Sequence, residues 1–118
     1  LQTLLRLPLQ EADPDDVVRD AAIQRFEYAF ETLWKASQTY LRENEGVEAG
    51  SPKAAIRALF RLGLLGEDQV RQALDMADDR NLTVHTYNEE LARSIFGRLK
   101  VYARLMQDWL AALEKGAD

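Results

Sequence analysis

Apolar side chains recur along the chain at intervals of three and four residues, a spacing typical of amphipathic helices rather than of strands. Two of these series are long, and each has seven positions separated by 4, 4, 3, 4, 3 and 4 residues. Such a seam predicts a helix packed lengthwise against another, so we expect the two helices to pair. The first series is Val18, Ala22, Phe26, Ala29, Leu33, Ala36 and Tyr40, and the second is Leu91, Ile95, Leu99, Tyr102, Met106, Trp109 and Leu113.

The first long helix has a clear predicted start. Asp13 followed by Pro14 is a cap and a first helical residue, and the pattern then continues to about Glu45, ahead of a glycine. A second apolar stripe widens the buried face of this helix, which predicts either a central place in the bundle or a subunit interface. A further segment at residues 1–9, interrupted by Pro8, precedes it.

Two shorter helices are predicted between the long ones. Ser51 before a proline starts one, which ends in the glycine-containing segment 63–66, and another extends over residues 67–79. Thr86 and Glu89 match a capping box, which predicts the start of the last long helix. Together these elements predict an all-α, up-and-down bundle of four or five helices, with the two long helices as its axis.

Composition narrows the class of protein. At 118 residues the chain predicts a single domain over residues 1–118, and 47% hydrophobic residues give it enough apolar surface for a core. It has no cysteine and one histidine, which excludes thiolate zinc sites and a pair of histidine ligands within one chain. We expect no metal and no cofactor. No apolar run is long enough to span a bilayer, and the first residues are too short an apolar stretch for a signal peptide. We therefore expect a cytoplasmic protein with no membrane partner.

Charge argues against general binding of nucleic acid, because the net charge is -5. Two stretches are nevertheless basic and contain no acid, and they predict locally positive surfaces unless they are ordinary solvated helix faces. They are residues 51–66, with Lys53, Arg57 and Arg61, and residues 91–107, with Arg93, Arg98, Lys100 and Arg104.

The segment between the last two predicted helices carries most of the chemical information. Arg80, Asn81, His85 and Tyr87 bring a guanidinium, an amide, an imidazole and a phenol within eight residues. On one continuous helix, Arg80 and His85 would face different directions, so the pattern predicts either a chain break near residues 81–85 or a twofold dimer that joins the two faces. The alternative is that these residues only cap and compensate helix ends.

Arg80, His85 and Tyr87 form the pattern Arg-x4-His-x-Tyr, which resembles the signature of the HEPN superfamily of small helical bundles. Residues 19–27 and 33–35 also resemble the long helix of one branch, the nucleotidyltransferase substrate-binding proteins. The resemblance implies a homodimer whose site acts on RNA without metal, with His85 moving a proton, Arg80 stabilising charge on phosphate and Asn81 as an auxiliary contact.

The resemblance also implies a partner. Members with this signature include toxins paired with a minimal nucleotidyltransferase, which attaches AMP to the tyrosine that matches Tyr87. The chain is not itself that transferase, because Gly50-Ser51 is not followed by the Asp-x-Asp pair that would hold catalytic metal. Gln24 and Glu27, on the first long helix, are weaker candidates for substrate binding.

Three functions remain open from the sequence. The chain is a subunit that binds a nucleotide or RNA and works with a separate nucleotidyltransferase, or a metal-independent ribonuclease toxin, or a purely structural helical dimer. The acidic net charge favours the first function over the second, because an acidic protein is a poor general ligand for RNA.

Overall fold

A computed structural model describes residues 16–117, and within them every regular element is an α-helix. The predicted segment at residues 1–9 and the Asp13-Pro14 cap lie outside the described residues. None of the described helices has the length and apolar content to cross a membrane. The all-α prediction is confirmed, with four helices: α1 (Asp16–Glu45), α2 (Pro52–Arg61), α3 (Glu67–His85) and α4 (Glu89–Ala117).

The two long helices, α1 and α4, pack against each other along their lengths, as their matching seams predict. Arg19 lies near Glu89 at one end, and Ser37 contacts Trp109 toward the other, so α1 and α4 run in the same direction. The α4 seam is confirmed, since Leu91 is half-buried and its other six positions are buried. α3 runs in the opposite direction to α4, to which a short turn joins it.

The α1 seam departs from its prediction at one position. Ala36 is exposed, and Ser37 is fully buried in its place. The Ser37 hydroxyl accepts a hydrogen bond from Trp109 Nε1 at 2.8 Å and donates one to the carbonyl of Leu33 at 2.9 Å. A polar residue therefore occupies a core position because it satisfies the buried indole N–H of α4.

The short helix α2 covers only part of the bundle. With 10 residues against the 30 of α1, it is about 15 Å long against about 45 Å. Ser51 caps it as predicted, accepting a hydrogen bond from the backbone N–H of Ala54. Gln38 bonds to the Ala49 carbonyl just before it, which holds α2 against the C-terminal half of α1. Among the described residues, the N-terminal half of α1 has no such cover.

The break between α3 and α4 lies further along the chain than predicted. α3 continues through His85 instead of ending at Asp79, because Thr83 is buried in register with the helix and Thr86 N–H still donates to the Leu82 carbonyl. The cap of α4 is Asn88, whose side chain accepts a hydrogen bond from Leu91 N–H at 2.8 Å. The predicted capping box at Thr86 is therefore wrong, since asparagine is an equally good cap two residues later.

Replacing Ser37 with alanine tests the buried polar contact. The substitution leaves the indole N–H of Trp109 buried without a partner, so we expect the free energy of unfolding to fall by about 1–3 kcal/mol. The matched control is Thr32→Ala, which removes a similar hydroxyl-to-carbonyl bond on the exposed side of α1 and should cost about 0.5 kcal/mol or less. Urea unfolding measures both, and equal losses would contradict the importance of the Trp109 contact.

Candidate functional site

The C-terminal turns of α3 place the predicted site residues on two different sides of the helix. Arg80 and Thr83 point toward α1, where Arg80 is half-buried and Thr83 is buried. Asn81 and His85, four residues apart, are both exposed, but Asn81 Oδ1 still accepts a hydrogen bond from Arg80 Nη1 at 3.4 Å. Because α3 is continuous, a single chain does not gather Arg80 and His85 into one pocket, as the geometry of an unbroken helix predicts.

Arg80 is held by an acidic residue of α1, Glu31, which was not among the predicted site residues. The guanidinium donates from Nη2 to Glu31 Oε2 at 2.9 Å, and Glu31 also accepts from Trp34 Nε1 at 3.1 Å. Lys35, four residues further along α1, lies 3.2 Å from the other carboxylate oxygen. Burial by itself raises the pKa of Glu31, but these hydrogen bonds and the two cationic charges outweigh it, so the pKa lies below its ordinary value.

A cleft lies between the N-terminal half of α1 and the end of α3, next to this ion pair. Its volume is about 230 Å³. Both weaker candidates, Gln24 and Glu27, line it together with Tyr87, whereas Arg80, Asn81 and His85 do not. The structure thus brings three of the six predicted site residues to one cleft, and their roles there stay predictions. The complete lining is Asp20, Ile23, Gln24, Glu27, Thr83 and Tyr87.

Tyr87 closes one side of the cleft and is tied to α1. Its hydroxyl donates a hydrogen bond to Asp20 Oδ1 at 2.5 Å, while 46% of the residue remains exposed. The pKa of Tyr87 is raised to about 12, mainly because burial disfavours the phenolate and also because the hydroxyl is bonded to the Asp20 carboxylate. The phenol is therefore neutral and oriented, yet still accessible from outside.

Asp79, one residue before Arg80, fixes the position of this part of α3. Its carboxylate accepts two hydrogen bonds from Arg98, at 2.8 and 3.0 Å, and one from the hydroxyl of Tyr102 at 2.5 Å. Tyr102 in turn stacks on Phe26 of α1, with ring centroids 5.6 Å apart. One buried carboxylate therefore joins α3 to α4 directly and to α1 through an aromatic ring.

Four residues of this region were not among the predicted site residues, namely Asp20, Glu31, Asp79 and Thr83. Asp20 and Tyr87 are 67 residues apart in sequence, so no local spacing could have paired them. Asp79 did carry a signal, because it stands three residues after Met76 and four before Thr83, on the buried face of α3. A carboxylate at such a position predicts a buried partner.

The charge of the cleft limits what it can bind. Asp20 and Glu27 contribute two carboxylates, and the described lining contains no lysine or arginine. The predicted basic surfaces are also reduced, because three of their seven cations form ion pairs, Lys53 with Asp78, Arg93 with Glu89 and Arg98 with Asp79. The cleft thus suits a cation or a neutral polar group such as a base or sugar better than a phosphate.

A four-helix fold with a cleft between α1 and α3 and the pattern Arg-x4-His-x-Tyr at the end of α3 defines the class of protein. The chain belongs to the family described as nucleotidyltransferase substrate binding protein like, whose sequence profile matches residues 1–115. The predicted membership in this branch of the HEPN superfamily is confirmed.

Two relatives place the chain more closely. A crystal structure of a protein from Thermus thermophilus is 57% identical, covers 95% of this chain and 94% of its own, and superposes with a TM-score of 0.89. The probable ribonuclease HepT of Haemophilus influenzae is 27% identical over 95 residues, which are 77% of this chain. The match spans 64% of the HepT sequence, so it covers less than two thirds of that relative.

The protonation state of Tyr87 can be tested by nitration with tetranitromethane, which attacks the phenolate. Tyr28 is an internal reference, since it is 62% exposed on α1. Because the pKa of Tyr87 is raised to about 12, we expect it to be nitrated about tenfold or more slowly than Tyr28 at roughly pH 8. Asp20→Asn should speed the nitration of Tyr87 about threefold or more, because a neutral amide opposes the phenolate less.

Peptide mass spectrometry separates the two tyrosines in this assay. Asp75→Asn, an exposed substitution on α3 away from the cleft, is the control and should change neither rate. Nitration of Tyr87 as fast as that of Tyr28 in the unsubstituted chain would show that Asp20 does not hold the phenolic proton.

Proposed function

We propose that the chain is the helical subunit of a two-component nucleotidyltransferase system, in which a separate minimal nucleotidyltransferase transfers a nucleotide to Tyr87. The observation that carries this proposal is the position of Tyr87, whose hydroxyl is fixed at the edge of a cleft while 46% of the residue remains exposed. Family membership supports the partner class, since the family is named for the substrate of such transferases. The pair would act in the cytoplasm, as a toxin and its antitoxin.

The size and charge of the cleft support a role that needs a partner. A volume of about 230 Å³ is below the roughly 300–1,000 Å³ of pockets that enclose a whole small-molecule ligand. The acidic lining contributes no cation for a triphosphate. We infer that Gln24 and Glu27 contact the base or sugar of the nucleotide, while the partner holds its phosphates.

Transfer to Tyr87 is tested by incubating the chain with ATP, magnesium and a minimal nucleotidyltransferase, for which the adjoining gene is the first candidate. We expect a mass increase of nucleoside monophosphate units on the peptide that contains Tyr87, and no transfer to the Tyr87→Phe variant, which lacks the nucleophilic oxygen. Tyr28→Phe removes the hydroxyl of a tyrosine that is more exposed than Tyr87, and it should leave transfer unchanged. Undiminished modification of the Tyr87→Phe chain would contradict the proposal.

A second candidate function is metal-independent cleavage of RNA by Arg80 and His85. One of the relatives is named a probable ribonuclease, and the two residues supply a fixed cation and a group able to transfer protons near neutral pH. Because they face different sides of a continuous α3, this function requires a homodimer that brings the two faces together. Asn81, beside His85 on the exposed side, would contact the same RNA.

The ribonuclease function predicts RNA cleavage in the presence of EDTA. His85→Ala and Arg80→Ala should each lower the rate by about 100-fold or more, the usual contribution of a proton-transfer group or a charge-stabilising group. Lys35→Ala is the matched control, because it removes a cation from the same Glu31 cluster while Arg80 keeps its ion pair.

The results of this assay separate the three functions. Cleavage that survives both substitutions would contradict the Arg80 and His85 assignment. An absence of cleavage together with transfer to Tyr87 would leave the subunit function alone. A dimer that neither cleaves RNA nor accepts a nucleotide would support the purely structural function.

A further inference from the structure

The shortest polar contact of the cleft joins Tyr87 to Asp20. The phenolic oxygen lies 2.5 Å from Asp20 Oδ1, and no other hydrogen bond of this hydroxyl is formed among residues 16–117. We propose that Asp20 is a catalytic residue for nucleotide transfer, because it accepts the phenolic proton as the oxygen of Tyr87 attacks. This inference rests on the function proposed above and adds the group that activates the nucleophile.

Nucleotide transfer to Tyr87 needs one other reactant, a nucleoside triphosphate. A bond forms between the Tyr87 oxygen and the α-phosphorus, and the bond from that phosphorus to the bridging oxygen of the β-phosphate breaks. Pyrophosphate leaves, and the phenolic proton passes along the existing hydrogen bond to Asp20 Oδ1. The product is a tyrosyl phosphodiester beside a protonated carboxyl group, which returns its proton to solvent.

The surroundings of Asp20 support this role over that of a simple anchor. Arg19 Nε lies 3.5 Å from the same oxygen Oδ1, which helps to orient the carboxylate, and Arg19 is itself held near Asp16 and Glu89. The Asp20 side chain is 46% exposed, so it can release a proton to water after each transfer. Its carboxylate is therefore oriented, bonded to the reacting oxygen and open to solvent.

The phenol needs such an acceptor because it does not ionise by itself near neutral pH. Burial and the Asp20 carboxylate raise its pKa to about 12, while the cation of Arg19 opposes them and the carboxylate of Glu27 adds to them. On α4, the carboxylate of Glu89 lies near Arg19. The α3 residue that lines the cleft is Thr83, whose side chain is neutral. An attack by free phenolate would therefore be rare, and the proton must leave during the attack.

Two substitutions of Asp20 distinguish a base from an anchor. Asp20→Asn keeps an oxygen that accepts the hydrogen bond but takes no proton, so a base predicts single-turnover transfer about 100-fold slower or more. Asp20→Ala removes both functions and should be at least as slow. If Asp20 only positions the phenol, the Asn variant transfers at about the rate of the unsubstituted chain, and the Ala variant alone is slow.

The pH dependence and the nitration assay give independent readouts. In the Asp20→Asn variant only the phenolate attacks, so its residual rate should rise about tenfold per pH unit between roughly pH 7 and 9, and the rate of the unsubstituted chain should rise far less. The same variant should show faster nitration but slower nucleotide transfer at Tyr87. A decrease in both rates would show that the phenol had become inaccessible, which would overturn the proposal.

The same experiment separates this inference from the proposed function. The assay uses the full chain, ATP, magnesium and the same minimal nucleotidyltransferase as the transfer assay above. Asp75→Asn is the control for loss of a carboxylate outside the cleft. Transfer to Tyr87 that is equally fast in the Asp20→Asn chain overturns the role of Asp20 and leaves the proposed function intact. A lack of transfer to the unsubstituted chain overturns both.

Discussion

The buried carboxylate of Asp79 determines the geometry of the whole candidate site. With two bonds from Arg98 and one from Tyr102, it fixes the rotation of α3 about its own axis relative to α4. Because Arg80 is the next residue, that rotation sends its guanidinium toward Glu31 of α1. His85, five residues further along an unbroken helix, is then exposed. Removing Arg98 or Tyr102 would leave the buried carboxylate of Asp79 with fewer hydrogen-bond donors, which is unfavourable, so the arrangement resists local change.

The short α2 explains why a cleft exists on one side of the bundle. Gln38 holds α2 beside the C-terminal half of α1, and the Lys53–Asp78 ion pair joins α2 to α3. Among the described residues, the N-terminal half of α1 is therefore left facing the end of α3 across the cleft. Here Tyr87 donates a hydrogen bond to Asp20, and Arg80 donates one to Glu31, which lies further along α1. Two polar contacts thus join α1 to the C-terminal end of α3 and the residues after it, in the half of the bundle that α2 does not cover.

Periodicity predicted the architecture well because burial repeats along a helix, and the α4 seam was correct at every position. The errors arose where a polar side chain took a buried place. Ser37 replaced Ala36 because the Trp109 indole needed an acceptor, and Thr83 kept α3 helical beyond the predicted end. The site was harder to predict. The Arg-x4-His-x-Tyr pattern identified the family, but the partners of Arg80 and Tyr87 lie on α1, 49 and 67 residues away in sequence. Only the packing of three helices brings them together.

Electrostatics then decides how this chain can take part in phosphate chemistry. The cleft beside Tyr87 is lined by two carboxylates, and Arg80, the nearest predicted phosphate ligand, already shares Glu31 with Lys35. A triphosphate approaching this side unaided would meet like charge at close range, which is unfavourable by several kcal/mol when the groups are partly desolvated. Under the proposed function, cations supplied by the partner, either side chains or magnesium, would offset that repulsion and leave the base and sugar for the cleft. Asp20, one of the two carboxylates that would repel a bare nucleotide, is also the group bonded to the Tyr87 hydroxyl and suited to accept its proton. Under the proposed function, the acidic cleft and the need for a partner would therefore be two consequences of one charge distribution.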